Sequence, residues 1–178
     1  TAAGIIEILE RSKIKVDGAE AVVVGRSEIV GRPTSMMLLN RNATVAMCHS
    51  HTKDLAGHCR RADILISAVG KPGFLDINYV KEGATVIDVG INRITDRATF
   101  DRFFKGNARR EKSFAEKGST LIGDVHPEVG VIAGALTPVP GGVGPLTVAM
   151  LLVNLLKACK RRRQLAVASQ QSSASNTQ

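Results

Sequence analysis

The sequence predicts an α/β fold, a doubly wound and mainly parallel sheet with helices on both faces, and three observations predict it. Apolar, β-branched runs recur without polar alternation, as strands do when both faces of a parallel sheet are covered: 20–24, 63–69 and 84–89. Segments of helical periodicity or helix length separate them. Glycines follow the runs directly, at Gly25, Gly70 and Gly90, where a strand must turn sharply.

In chain order, residues 4–13 place Ile5, Ile6, Ile8 and Leu9 at helical spacing and predict a short amphipathic helix. Residues 20–24 are the first strand, and Pro33 suits the first turn of a helix continued by 34–40. Residues 43–48 are the second strand, followed by a helix over 55–61 that Thr52 or Asp54 can cap. Residues 63–69 and 84–89 are the third and fourth strands, and Leu121-Ile122 is read as a short fifth. The charged stretch 94–118, with Phe100, Phe103, Phe104 and Phe114 as its apolar points, is read as a surface insertion of one or two helices. A last helix runs from Thr147 to about Arg163 through Val148, Leu151, Leu152, Leu155 and Leu156. The uncharged Ser/Gln/Ala-rich residues 164–178 are expected to be a disordered tail.

A chain of 178 residues fits one domain, here 1–163, and such a domain buries roughly two thirds of its unfolded surface. The net charge of +8 suggests a nucleic-acid partner at first sight, but Lys157, Lys160, Arg161, Arg162 and Arg163 stand in one run. Of 24 basic residues these five leave 19 against 16 acidic ones, too even a balance for a phosphate-tracking face. The run itself suits the negative pole of a helix end. No nucleic-acid partner is expected. No run of about 18 apolar residues stands out, so no membrane partner is expected either. Cys48, Cys59 and Cys159 are odd in number and widely spaced, which fits reduced thiols in the cytoplasm. His126-Pro127-Glu128 lacks the ligand set of a metal site.

The turn GRSEIVGRP, 25–33, holds two glycines six residues apart, one for the sharp turn and one for close packing of helix on strand. Such a Rossmann-like bend aims free backbone N–H groups at one point, where a pyrophosphate can sit. Ser27 stands where the dinucleotide fingerprint has its middle glycine; it takes room and adds a hydroxyl. Many strand-to-helix loops contain two glycines, so an ordinary loop remains an alternative. The second strand ends in Cys48-His49-Ser50-His51-Thr52-Lys53, with no carboxylate before Asp54 to hold a ribose 2′-hydroxyl. Arg26 and Ser50 would suit a 2′-phosphate, and hence NADP; the bland reading makes them polar loop residues. The loop 136–147, with Pro138, Pro140, Pro145, Gly141, Gly142 and Gly144, is either a backbone wall for a ligand or a rigid corner before a helix.

Together VVVGRSEIVGRP, CHSHTKDL, ADILISAVGKPGF, GATVIDVGINR, IGDV and LTPVPGGVGPLTVAMLLVN resemble the bifunctional methylenetetrahydrofolate dehydrogenase/cyclohydrolase family, from Thr1 to about Lys160. The resemblance implies the NAD(P)-binding domain of a two-domain enzyme with a cleft between the domains. It implies that Gly25, Arg26 and Ser27 hold the phosphates and ribose of NADP and that Arg26 and Ser50 meet the 2′-phosphate. It further places Ile91 and the Gly70 turn along the nicotinamide half, Pro140, Gly141 and Gly142 beside the folate, and Thr147 nearby on the final helix.

The implied chemistry is oxidation of 5,10-methylenetetrahydrofolate and hydrolysis of the methenyl product to 10-formyltetrahydrofolate. The family's catalytic lysine, its tyrosine partner and its folate-binding acid belong to a domain expected before Thr1, so no catalytic residue is assigned here and the 178 residues alone are expected to be inactive. Thr1-Ala2-Ala3-Gly4 resembles the family's inter-domain junction, with Ala2 where proline is usual. A homodimer is the expected assembly. The alternative is a stand-alone NADP-binding module without turnover.

Overall fold

The computed structural model describes residues 1–175, with side chains through Leu165. Its elements are α1 (Ala2–Arg11), β1 (Glu20–Val24), α2 (Gly31–Leu39), β2 (Thr44–Cys48), α3 (Leu55–Cys59), β3 (Ile64–Ser67), β4 (Thr85–Asp88), β5 (Asn92–Ile94), α4 (Arg97–Phe104), α5 (Ala108–Lys117), β6 (Thr120–Ile122), β7 (Ala135–Leu136) and α6 (Val143–Ser175). Five strands form a parallel sheet in the order β2-β1-β3-β4-β7. This is the doubly wound, Rossmann-like architecture that the unbroken apolar runs predict.

The apolar runs are unbroken because β1, β3 and β4 bury both faces. Ala21, Val23, Ile64, Ile66 and Ile87 pack on one side with Ile5, Ile6 and Leu9 of α1, Leu38 of α2 and Val143 of α6. Val22, Val24, Leu65 and Val86 face the other side, against Cys59, Leu75, Val125 and Val129. Fully burying one such aliphatic side chain contributes about 1.5–3 kcal/mol, so the three apolar residues of α1 fasten it to the sheet. Ala2 opens α1 at a position whose N–H has no partner within the helix, where alanine serves as well as proline.

Two expectations are corrected. Leu121-Ile122 does not join the parallel sheet: β6 pairs antiparallel with β5 in a separate two-stranded ribbon, and the fifth parallel strand is Ala135–Leu136. A two-residue strand leaves no apolar run to read. Residues 164–175, expected as a disordered tail, continue α6, which carries no glycine or proline beyond Pro145 to stop it; residues 176–178 lie outside the described residues. By length and composition Val143–Leu165 would also suffice to cross a bilayer, because its basic run is confined to the C-terminal end. Val148, Leu151, Leu152, Leu155 and Leu156 on this helix are exposed.

The stretch 94–118 forms two helices, α4 and α5, over a small core of its own: Ile94, Phe100, Phe103, Phe104 and Ile122, with Phe114 against it. Asp96 and Asn107 cap them by accepting from the N–H groups of Thr99 and Arg110.

Candidate functional site

The sheet order reverses between β1 and β3: the chain leaves β1 to one side for β2 and crosses to the other for β3. Open α/β sheets bind ligands in the crevice outside the carboxyl ends of the strands at such a point. A cavity of about 250 Å3 lies there, lined by Gly25 and Arg26 after β1, His49 and Ser50 after β2, and Val69, Lys71 and Phe74 after β3. Arg26 and Ser50, singled out from separate loops, thus face one hollow. Lys71, which the sequence reading passed over, adds a second cation; its Nζ lies 5.4 Å from the centre of the Phe74 ring. Neither Arg26 nor Lys71 pairs with a carboxylate among the described residues.

The glycines of the first bend have separate reasons. Gly25 has φ +128°, and a Cβ there would collide with the carbonyl oxygen of Ala68 on the neighbouring strand. At Gly31 a Cβ would strike the carbonyl of Gly25, so the glycine lets α2 pack against the end of β1. Ser27 works inward more than the sequence suggested: its Oγ accepts from the N–H groups of Val30 and Gly31, at 3.2 and 3.3 Å. It caps the start of α2, where Val30 has no side chain to do so.

Two buried carboxylates, neither foreseen, set the next loops. Asp124, after β6, accepts from the backbone N–H of Val69 at 2.7 Å, of Gly70 at 2.9 Å and of Lys71 at 2.9 Å, and from Asn92 Nδ2 at 2.9 Å. Asp88, at the end of β4, accepts from the N–H of Gly90 and of Asp124, both at 2.9 Å, and of Val125 at 3.0 Å. Burial pushes the Asp88 carboxyl up to about 6, against the three amide donors that favour its charged form; the Asp124 charge adds a smaller push upward.

These carboxylates also account for two glycines: a Cβ on Gly90 would run into the Asp124 carboxyl, and one on Gly123 into that of Asp88. Both glycines make room for acids. Gly70 differs, with φ +69° and nothing within 4 Å of a Cβ, so its backbone does face open space.

A second cavity, of about 150 Å3, lies outside β4, lined by Asp88, Gly90 and exposed Ile91 on one side and by Pro140, Gly141 and Gly142 on the other. The four residues chosen from two distant loops meet here. Thr147 stands apart: its hydroxyl lies 3.2 Å from Val143 O and 3.2 Å from Thr1 Oγ1, tying α6 to the start of α1. The Nδ1 of His126 accepts from Glu128 N–H, and its ring packs on Phe103.

A family model described as tetrahydrofolate dehydrogenase/cyclohydrolase, NAD(P)-binding domain, matches residues 1–163. A bifunctional protein FolD from Koribacter versatilis is 63% identical over 163 residues, which cover 92% of this chain and 53% of that protein. The crystal structure of the FolD methylenetetrahydrofolate dehydrogenase/cyclohydrolase from Campylobacter jejuni superposes with a TM-score of 0.76 at 41% identity, covering 90% of this chain and 50% of that one. The Trypanosoma brucei FolD, solved with NADP cofactor and inhibitor, superposes with a TM-score of 0.74 at 39% identity, covering 90% and 50%. The chain spans about half the length of these relatives.

Proposed function

The chain belongs to the tetrahydrofolate dehydrogenase/cyclohydrolase family, and we propose that it supplies the NADP-binding half of an enzyme that oxidises 5,10-methylenetetrahydrofolate and hydrolyses the product to 10-formyltetrahydrofolate. The observation that carries this reading is the convergence of Gly25, Arg26, Ser50 and Lys71 on one hollow at the switch point of the sheet. The residues fit the cofactor: two cations without acid partners face that hollow, and the Gly70 backbone is held open beside it.

In this reading NADP, when bound, accepts the hydride. The chain's own residues do the placing. The bend after Gly25 would offer backbone N–H groups to the pyrophosphate, those of Val30, Gly31 and Arg32 being held by Ser27, and Arg26, Ser50 and Lys71 would bind the 2′-phosphate. Asp124 gathers the N–H groups of Val69, Gly70 and Lys71, which turns that loop into a fixed edge along the nicotinamide half. Ile91, exposed after β4, would lie along the nicotinamide half. Pro140, Gly141 and Gly142 form the wall against which the folate lies.

Hydrolysis needs a general acid or base, and we assign it to the remainder of the full-length protein. The exposed apolar row on α6 supports that division, because it is a face of the kind a second domain covers. Cys48 and Cys59, buried and without a disulfide among the described residues, support a reducing, cytoplasmic setting.

The test is to titrate the 178-residue chain with NADP and NAD by calorimetry and to follow methenyl product by absorbance. NADP binding without turnover is expected; turnover by this chain alone refutes the division of labour. Failure to bind NADP refutes the cofactor site. Turnover by the complete reading frame separates the enzyme from a stand-alone NADP module, and sedimentation of the same protein tests the expected homodimer.

A further inference from the structure

The inserted helices α4 and α5 touch both loops of the site. On the cofactor side, the Phe103 ring of α4 fills the space beside Gly73, so closely that a Cβ there would collide with it. On the other side, the Arg110 guanidinium of α5 lies 4.7 Å from the centre of the Phe104 ring and forks three ways. It donates to Thr120 Oγ1 at 3.2 Å, to the Leu121 carbonyl at 3.1 Å and to the Val139 carbonyl at 2.8 Å. Among the described residues it is the only side chain that hydrogen-bonds to the stretch 138–142. Thr137 and the sheet hold that stretch before it, and α6 takes over after it. Gly141, at φ +109° with nothing within 4 Å of a Cβ, sits where the wall has most freedom.

We propose that Arg110 is a positioning residue: the insertion serves as a strut whose guanidinium, through the Val139 carbonyl, fixes the Pro140–Gly142 wall for the folate. The assignment of folate to that wall rests on the function proposed above. Arginine suits the task because its planar fork reaches three acceptors at once while its face rests on Phe104. A single point charge on lysine cannot reproduce the fork.

The test uses Arg110→Met, which keeps length and packing on Phe104, and Arg110→Lys, in the protein expressed from its complete reading frame. The expected result for Arg110→Met is a rise of about tenfold in KM for the folate, as the loss of one charge-assisted hydrogen bond implies. The NADP dissociation constant stays within twofold, and Arg110→Lys rescues only part of the loss. Hydrogen exchange of the 178-residue chain is the second measurement: the Gly141 and Gly142 amides exchange faster in the variant while those of the β1–α2 bend do not change. Unchanged exchange at Gly141 and Gly142 overturns the strut. Faster exchange with unchanged folate KM overturns its link to the substrate, and equal losses of NADP and folate binding reduce Arg110 to a general fold-stabilising role. If the wild-type protein turns over no folate, the earlier reading falls, and the exchange result alone decides whether Arg110 holds the loop.

Discussion

Asp124→Asn isolates what one buried oxygen does for the cofactor edge. Asp124 is fully buried, and each carboxylate oxygen accepts two donors: Oδ2 from Val69 and Gly70, Oδ1 from Lys71 and Asn92. In asparagine one of these oxygens becomes an NH2 group aimed at two donors. Whichever way the amide settles, two hydrogen bonds are lost. Bonds to a charged group contribute about 1.5–3 kcal/mol each, so the loss is about 3–6 kcal/mol, a large fraction of the roughly 5–15 kcal/mol that holds a domain together. Removing the charge returns a little by easing its push on Asp88. The assay is urea unfolding of the 178-residue chain, with NADP calorimetry where the variant stays folded. The expected outcome is a midpoint shift at unchanged slope together with at least tenfold weaker NADP binding, because the freed N–H groups lie in the loop that lines the cavity. A stability loss under about 1 kcal/mol would refute the reasoning, since it would mean that the four bonds are replaced by water at no cost.

Arg26→Ala should weaken NADP by about ten- to a hundredfold and leave NAD nearly unchanged, as one charge-assisted bond to the 2′-phosphate requires; equal losses in parallel titrations would remove that role. The stability of the chain should fall as pH rises from about 4 to 6, because folded Asp88, at about 6, holds its proton more tightly than the unfolded carboxyl at about 4. That gap corresponds to about 3 kcal/mol, and urea unfolding of Asp88→Asn across this range should show the slope removed. Gly123→Ala should cost about 2 kcal/mol or more in the same assay, since its Cβ would drive into the buried Asp88 carboxyl. Leu151→Glu with Leu155→Glu should leave the stability of the 178-residue chain within about 1 kcal/mol, because both are exposed in it, and should weaken the full-length protein; an equal effect on both would mean that α6 packs only within this half.

The elements legible in the sequence are those with a local cause. The doubly buried strands carry unbroken β-branched runs, and the first bend carries Gly25 and Gly31 at a spacing set by strand, turn and helix start. That Arg26 and Ser50 share one edge was legible because each stands two positions past the end of a strand. Features with long-range causes were not legible. Ala135–Leu136 is a strand only because Thr85 and Val86 lie beside it. Asp124 binds residues more than 30 positions away, and nothing near it in sequence marks the loops it gathers. Arg110 reached Val139 across 29 positions through a small aromatic core that the sequence revealed only as four phenylalanines. The tie from Thr147 to Thr1 was not legible because 146 positions separate them.

The glycines show why pattern alone leaves part of the edge undecided. Gly70, Gly90, Gly123 and Gly141 all stand in loops at the carboxyl ends of strands, and a sequence offers one explanation for all, a backbone left bare for a ligand. The space where each Cβ would go divides them: at Gly70 and Gly141 it is empty, whereas at Gly90 and Gly123 a carboxyl group occupies it. Two glycines therefore present backbone outward, and two admit the acids that hold that backbone still. The same division runs through the charged residues. Arg26 and Lys71 face a cavity and pair with no acid among the described residues, while Asp88, Asp124 and Arg110 spend most of their bonding capacity on backbone groups of the chain itself. A flexible glycine loop offers a ligand little until its backbone is fixed, and fixing it in advance removes an ordering cost from binding. The acids do this on the cofactor side and Arg110 on the side of Pro140, so substitutions at Asp124 and at Arg110 should separate the two ligands, the first acting on NADP and the second on folate.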